Sequence, residues 1–174
     1  MTVAPDATPA RRVEVARIVP VDASVAFAWV ADLRTHPRWI PATRLVGSAS
    51  AGPELGDRYT MASGPGARRD PASTLGRLVM LDRMVVEQLE RPSTGAARVG
   101  RTRLRKLGPV LLGAAGFDVV PLDDQRCRIV WWEEAHLAGP LPRLATDPLV
   151  GLFLRAFMAV SLSRLSRRLA RPGR

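Results

Sequence analysis

Glu133 is one of two acidic residues that lie in apolar, strand-like segments and are suited to acid–base chemistry. In the predicted strand 127–137, alternate residues share a face, so Ile129, Trp131 and Glu133 point the same way. If that face is the inner one, the carboxyl group enters an apolar interior. Burial there raises its pKa and allows it to act as a general acid or base. The competing interpretation is an ion pair between Glu133 and an arginine at the rim of the interior.

Asp82 is the second candidate, because it shares a strand face with Met84 and Val86. If that face is concave, Asp82 is another buried carboxyl group that can move a proton. The alternative is a strand-end residue exposed to water.

Three arginines alternate along one predicted strand, and Leu104 lies on the opposite face. The arginines are Arg101, Arg103 and Arg105. They can form a cationic wall for a carboxylate or phenolate on a ligand. They can also be the solvated outer face of an antiparallel sheet, which is favoured because Leu104 prefers the interior. We keep Arg103 as a candidate for contact with a ligand.

Few residues are suited to metal binding or disulfide formation. The single cysteine, Cys127, excludes an intramolecular disulfide, and only two histidines are present, His36 and His136. We therefore expect no metal site and no cofactor. His36 precedes a proline in a turn and is expected at the surface, whereas Cys127 is expected to be a small buried residue.

The 174-residue chain has a net charge of +10, which is typical of proteins that bind nucleic acid or an anionic membrane. However, Lys106 is the only lysine among the 26 basic residues. This ratio indicates a GC-rich coding sequence rather than selection for a basic patch. The sequence contains no nucleic-acid-binding motif, and we expect no nucleic-acid partner.

The hydrophobic pattern predicts one α+β domain over residues 12–174, after a disordered lead-in over residues 1–11. A first strand precedes a helix capped by Asp22 and a short helical turn over residues 36–41. Strands are predicted at 43–49, 56–62, 73–80, 83–89, 97–107, 116–122 and 127–137. A final helix, capped by Thr146 or Asp147, runs to about Ala170, with an apolar face comprising Leu149, Leu152, Phe153, Phe157, Val160, Leu165 and Leu169.

No membrane-spanning helix is predicted, because the longest apolar stretch, residues 149–163, is interrupted by Arg155 and falls short of about 20 residues. The first residues lack the basic and apolar regions of a signal peptide. We therefore expect a soluble, cytoplasmic protein.

Several segments resemble the START-like, Bet v 1-like helix-grip superfamily, most closely the bacterial polyketide cyclase/dehydrase (SRPBCC) type. They are residues 21–33, 36–41, 82–86, 116–119 and 128–134, and the resemblance extends over about residues 12–170. It implies a curved antiparallel sheet of six to seven strands around a long C-terminal helix, with two short helices after the first strand. It also implies a hydrophobic cavity between sheet and helix, open at one end.

The resemblance implies that this cavity binds a lipophilic or polyaromatic small molecule. Trp39 is expected to be a wall of the cavity or a core residue that anchors the helical turn. The residues expected to contact the ligand are Phe27, Trp39, Tyr59, Met61, Met84, Val86, Arg103, Phe117, Trp131, Phe153 and Phe157.

Two other functions stay open. In a polyketide cyclase or dehydratase, Glu133 or Asp82 moves a proton while Tyr59 or Arg103 stabilises an enolate. In a basic surface module, an arginine stripe near the C-terminus contacts an anionic membrane or a protein partner. The stripe comprises Arg164, Arg167, Arg168 and Arg171. The oligomeric state is left open.

Overall fold

Alternating buried and exposed residues form a seven-stranded antiparallel sheet, in the order β1-β7-β6-β5-β4-β3-β2. The computed structural model describes residues 12–48, 52–67, 69, 79–93, 97–138 and 143–171. The expected lead-in and most of the predicted strand 73–80 lie outside these residues. The strands are β1 (Val13–Val19), β2 (Thr43–Ser48), β3 (Arg58–Ser63), β4 (Met80–Glu90), β5 (Gly100–Pro109), β6 (Leu111–Asp123) and β7 (Arg126–Leu137).

Two short helices follow β1, as predicted. Helix α1 (Ala23–Ala31) begins after Asp22, whose carboxylate accepts a hydrogen bond from the Ser24 amide at 2.7 Å. A 3-10 helix, Leu33–Arg38, begins after Asp32 in the same way. The second helix, α2 (Arg143–Leu169), follows β7. This arrangement is the helix-grip α+β fold, with a curved sheet and a long C-terminal helix.

Strand β5 shows how the sequence assigns the two faces of the sheet. Thr102, Leu104 and Lys106 point inward and are buried. The intervening arginines point outward and form ion pairs with glutamates of β4: Arg101 with Glu90, and Arg103 and Arg105 with Glu87. The three arginines therefore lie on the solvated outer face of the sheet, which is the position that the sequence favoured.

The inner face of the sheet holds two groups of buried side chains. The larger group packs β1, β6 and β7 against α1 and α2, and it includes Phe27, Trp39, Ile129 and Met158. The smaller group lies near the 3-10 helix and comprises Leu33, Tyr59, Met61, Met84, Val86 and Leu104. Helix α2 packs mainly on β1 and β7, at one side of the sheet.

Helix α2 differs from its prediction in its start and in its buried face. It begins at Arg143, so Thr146 and Asp147 are not its cap, and Pro148 lies inside it. The buried side chains are Leu154, Met158, Leu162 and Leu165, whereas Leu149, Leu152, Phe153 and Val160 are exposed. At 100° per residue these sets lie on opposite sides of the helix, and β1 and β7 cover only one side.

The sequence predicted no helix that could span a membrane, because the apolar stretch 149–163 is too short. In the structure, the helical segment Pro148–Leu169 extends beyond that stretch and is long and apolar enough to cross a bilayer, by length and composition alone. Core helices meet this criterion too, and one side of α2 lies in the core.

The register of β2 on β3 shifts between Leu45 and Gly47, which is the signature of a β-bulge. Strand β2 is at one edge of the sheet, and β1 is at the other. The bulge therefore interrupts regular pairing next to a free edge.

Gly116 of β6 lies too close to its neighbours to carry a side chain. A Cβ there would lie 2.1 Å from the Thr102 carbonyl oxygen and 2.5 Å from the Trp132 ring. We expect Gly116→Ala to lower the free energy of unfolding by about 1–3 kcal/mol, because the strand or the ring must move. Guanidinium denaturation measures the change. Gly47→Ala is the control, since nothing lies within 4 Å of its Cβ position. Equal stability of the two variants would contradict the predicted clash.

Candidate functional site

A cavity of about 70 Å³ lies between the inner face of the sheet, the 3-10 helix and α2. This volume is below the roughly 150 Å³ of a cavity that admits benzene. Apolar side chains form most of its wall: Ile40, Met61, Met84, Leu104, Ala115, Phe117, Trp131 and Phe157. Its polar lining comprises His36, Thr43, Ser63, Asp82, Lys106 and Glu133.

Lys106 joins the two candidate carboxyl groups in the interior. Its Nζ donates a hydrogen bond to Asp82 Oδ2 at 2.5 Å and lies 3.5 Å from Glu133 Oε2. All three residues are buried. The strand order places Asp82 on β4, Lys106 on β5 and Glu133 on β7. The sheet therefore brings together residues that are far apart in sequence.

The contact between Lys106 and Glu133 crosses β6, which lies between their strands. Two strand spacings separate β5 from β7, about 10 Å. Ala115 of β6 pairs with Leu104 on one side and Glu133 on the other, and it contributes only a methyl group to the cavity wall. This small residue leaves room for the long Lys106 side chain.

Opposing effects set the protonation of this cluster. Burial alone lowers the pKa of Lys106, but the charges of Glu133 and Asp82 and the hydrogen bond to Asp82 raise it above its usual value. Burial also raises the pKa of Glu133, with a further contribution from Asp82, against the lowering effect of the Lys106 charge. Lys106 is therefore held as an ammonium ion, and Glu133 binds its proton more tightly than a glutamate in water does.

Two buried carboxyl oxygens, Asp82 Oδ1 and Glu133 Oε2, have no hydrogen-bond partner among the described residues. Glu133 Oε2 is at an ion-pair distance from Lys106, without the geometry of a hydrogen bond. A buried polar atom in this state costs about 1–3 kcal/mol relative to a satisfied one. The cluster can therefore accept hydrogen bonds from a polar molecule in the cavity.

Aromatic rings connect the cavity with the surface of α2. The ring centroids of Phe117 and Trp131 are 5.1 Å apart, and Trp131 is 6.3 Å from Phe157. Phe153 stacks on Phe157 at 5.9 Å and is exposed. These contacts form an aromatic row from the cavity wall to the exposed side of the helix.

His36 is buried at the cavity, so the expectation that it lies at the surface is wrong. Its Nε2 lies 3.0 Å from the Val30 carbonyl oxygen, which accepts a hydrogen bond from the ring. Burial lowers the pKa of His36 to about 4, so the ring is neutral near pH 7. The 3-10 helix turns this side chain inward, toward Trp39 and Phe117.

Seven of the predicted site residues line this cavity: Met61, Asp82, Met84, Phe117, Trp131, Glu133 and Phe157. The rest lie elsewhere, and the structure corrects their placement. Phe27, Trp39, Tyr59 and Val86 are packed in the core and do not line the cavity. Trp39 thus takes the alternative role of a core residue that anchors the 3-10 helix.

Arg103 and Phe153 also lie outside the cavity. Arg103 is on the outer face, where it pairs with Glu87 and its guanidinium lies 5.6 Å from the Trp132 ring. Arg103 precedes Leu104 on β5, and successive side chains of a strand point to opposite faces of the sheet. Since Leu104 points inward, Arg103 points outward. Phe153 is exposed, because the side of α2 that carries it turns away from the sheet.

Lys106 is the residue of this charged cluster that the sequence analysis did not predict at the site. Two signals in the sequence point to it: it is the only lysine, and it shares a strand face with Thr102 and Leu104. Other lining residues were missed because they are small, apolar or in turns, such as Ala115 and Ile40.

The described residues contain no group of three His, Cys, Asp or Glu side chains that could hold a metal ion. Cys127 is buried, as predicted, and burial raises its pKa to about 12. Its thiol therefore stays protonated near neutral pH.

Replacing Lys106 with methionine removes the only cation among the described residues that contacts Asp82 and Glu133. We expect Lys106→Met to lower the free energy of unfolding by about 3–5 kcal/mol at pH 7, because two carboxyl groups stay buried without a counter-charge. Urea denaturation from pH 5 to pH 8 measures this loss.

The pH dependence has a definite sign. A buried acid with a raised pKa binds its proton more tightly in the folded state, so stability decreases as pH rises through that pKa. The deficit of Lys106→Met is therefore smaller at pH 5 than at pH 8. Arg105→Met is the control, because its pair with Glu87 is exposed and contributes little. A deficit that is equal at both pH values would contradict the electrostatic role of Lys106.

Comparisons with known proteins agree with the fold. Among curated proteins, none matches the chain significantly. The fold is similar to that of the Zhui aromatase/cyclase from Streptomyces sp. R1128, with 14% identity, a TM-score of 0.64 and coverage of 94% of this chain and 96% of that chain.

Two other solved structures have the same fold. A START superfamily protein from Mycobacterium smegmatis is 17% identical with a TM-score of 0.60, and the match covers 91% of this chain and 98% of that one. A hypothetical protein from Helicobacter pylori is 14% identical with a TM-score of 0.68, over 94% and 90% of the two chains. Residues 10–170 match the family described as polyketide cyclase / dehydrase and lipid transport, and the chain belongs to this family.

Proposed function

We propose that the chain binds a lipophilic small molecule that carries a hydroxyl or carbonyl group at its buried end. The observation that supports this is the pair of buried oxygens, Asp82 Oδ1 and Glu133 Oε2, without hydrogen-bond partners in the described part of the chain. A ligand hydroxyl can donate to Asp82, and a ligand carbonyl can accept from Lys106 or from a protonated Glu133. A cytoplasmic location is part of this proposal.

The size of the cavity limits how such a ligand is held. About 70 Å³ accommodates a polar group and a few carbon atoms, whereas drug-sized ligands need roughly 300 Å³ or more. The bulk of a polyaromatic ligand would therefore lie outside the cavity, and we place it beside Phe157, a lining residue that is only half buried. The apolar wall of Met84, Phe117 and Trp131 supplies the contact for its inner part.

A matched pair of probes tests the recognition of the polar group. We expect 2-naphthol to bind more tightly than naphthalene, and Asp82→Asn to reduce this preference by about tenfold, since a hydrogen bond to a charged group contributes about 1.5–3 kcal/mol. Fluorescence titration measures both affinities.

Glu87→Gln is the control for this experiment, because Glu87 lies on the same strand but on the outer face. It should keep the preference for 2-naphthol. Equal affinities of the two probes for the wild-type protein, or an unchanged preference in Asp82→Asn, would refute the assigned role of the cluster. Mass spectrometry of small molecules that copurify with the protein would then identify the natural ligand.

A second candidate function is an aldol-type cyclase or dehydratase, favoured by the raised pKa of Glu133 and by the contact of both Glu133 and Asp82 with Lys106. Asp82 removes a proton from a methylene carbon of a polyketone chain, and that carbon forms a bond to a second carbonyl carbon. Glu133 gives its proton to the oxygen of this carbonyl group, which becomes a hydroxyl. Before the dehydration, Asp82 passes its first proton to Glu133. Asp82 then removes a second C–H proton, and the hydroxyl group takes the proton from Glu133 and leaves as water.

Deuterium exchange into the methyl group of acetophenone tests the first proton transfer without a natural substrate. We expect the protein to accelerate exchange in D₂O, because Asp82 removes the proton and Lys106 stabilises the enolate oxygen. Asp82→Asn should lower the rate by at least about 100-fold, within the usual contribution of a general base. Proton NMR measures the rate.

Glu87→Gln is again the control and should exchange at the wild-type rate. Wild-type exchange no faster than buffer would exclude this chemistry while leaving the binding function intact. A wild-type rate in Asp82→Asn would assign the base to another group.

A further inference from the structure

The exposed side of α2 carries an unusual amount of apolar surface. Leu149, Leu152 and Phe153 are 71%, 69% and 65% exposed, and Val160 is 52% exposed. At 100° per residue, all four project from the same side of the helix. Scattered exposed apolar residues are ordinary, but a contiguous stripe of this kind marks an interaction surface.

The stripe continues into a cationic half on the same side of the helix. Arg167 is seven residues after Val160, so it lies on the side of the stripe, and Arg171 follows two residues after the end of the helix. Arg164 lies beside them, whereas the Arg168 guanidinium is 5.7 Å from the Trp29 ring and packs on α1. From Pro148 to Arg171 the sequence contains five arginines and no acidic residue.

We propose that this side of α2 docks onto an anionic lipid bilayer. Leu149, Leu152 and Phe153 enter the boundary between headgroups and acyl chains, and Arg167 and Arg171 contact the negatively charged headgroups. The helix lies in the plane of the membrane surface, with its opposite side still packed on the sheet.

Charge complementarity favours a bilayer over a second copy of the chain. Two copies joined through this face would both carry positive charge at the contact, from Arg164 and Arg167, and like charges oppose that contact. An anionic bilayer offers acyl chains to the apolar half of the stripe and negatively charged headgroups to the arginine half. The cytoplasmic leaflet attracts such basic segments by about 1 kcal/mol per arginine.

The docked side is continuous with the cavity. Phe153 stacks on Phe157, which lines the cavity and contacts Trp131. Docking therefore brings Phe157, a residue of the cavity wall, close to the membrane, from which a lipophilic molecule can enter the cavity without crossing water. This last step rests on the proposed function, whereas docking itself does not.

Cosedimentation with vesicles tests the docking. We expect the protein to bind vesicles of phosphatidylglycerol and phosphatidylcholine, and to bind pure phosphatidylcholine vesicles much more weakly at the same salt concentration. Leu152→Ser/Phe153→Ser should weaken binding by at least about tenfold, because two apolar side chains no longer enter the bilayer. Arg167→Gln/Arg171→Gln should weaken it by about 25-fold, at about fivefold per arginine.

Matched controls separate the stripe from general hydrophobicity and charge. Leu55→Ser changes an equally exposed leucine, at 66%, away from α2, and Arg83→Gln/Arg128→Gln removes two exposed arginines of the sheet. Leu55→Ser should bind like the wild type, and the sheet pair should lose much less than Arg167→Gln/Arg171→Gln. Circular dichroism and thermal unfolding should be unchanged in all four variants, since the side chains are exposed.

Several outcomes would overturn the proposal. One is that Leu152→Ser/Phe153→Ser binds vesicles as tightly as the wild type does, and another is that only the arginine variant loses binding. A third is that the wild-type protein fails to bind anionic vesicles. A dimer in sedimentation velocity that Leu152→Ser/Phe153→Ser disrupts, without vesicle binding, would identify the face as a self-interface instead. Vesicle binding by a wild-type protein that does not distinguish 2-naphthol from naphthalene would show that docking holds where the proposed ligand-binding function fails.

Discussion

The ammonium group of Lys106 can be buried only where carboxyl groups meet it, and this requirement constrains three strands at once. Asp82, Lys106 and Glu133 come from β4, β5 and β7, and a shift of one residue in any of these strands would turn its charged side chain to the outer face. The small side chain of Ala115 on the intervening strand completes the arrangement. The same register that pairs the charges therefore also determines the shape of the cavity.

The cluster has more acceptors than the protein itself satisfies. One cation lies between two carboxyl groups, and two of the carboxyl oxygens have no hydrogen bond among the described residues. A purely structural ion pair would be expected to satisfy its polar atoms or to be replaced by apolar residues. This excess of acceptors beside an apolar aromatic wall is the feature on which the proposed ligand binding rests.

Strand periodicity predicted most of the fold and a part of the site. Parity on β7 and β4 grouped Glu133 and Asp82 with apolar residues and left open whether those faces were the inner ones. The order of the elements predicted an α+β fold with an antiparallel sheet, and the family resemblance implied the helix-grip arrangement. Periodicity failed on α2, because both sides of the helix are apolar and a pattern cannot tell which side packs on the sheet. It also failed for Tyr59 and Phe27, since an inward side chain can be in the packed core or at the cavity, and only the tertiary packing decides.

Lys106 shows that composition carries information that periodicity does not. In a chain that uses arginine at the other 25 basic positions, a single lysine on an inward strand face is unusual. An ammonium group is compact and can be held between two carboxyl groups, whereas a planar guanidinium with five donors needs more partners. His36 had no comparable signal, because the 3-10 helix that turns it inward is too short for a periodic pattern.

The β-bulge in β2 has a consequence for how the protein behaves at high concentration. An open sheet has two free edges, and each one is a template for strand addition by another chain. Helix α2 packs along β1, whereas β2 is short, carries the exposed Arg44 and is distorted between Leu45 and Gly47. A neighbouring strand cannot form a regular ladder on such an edge, so these features oppose polymerisation through the sheet.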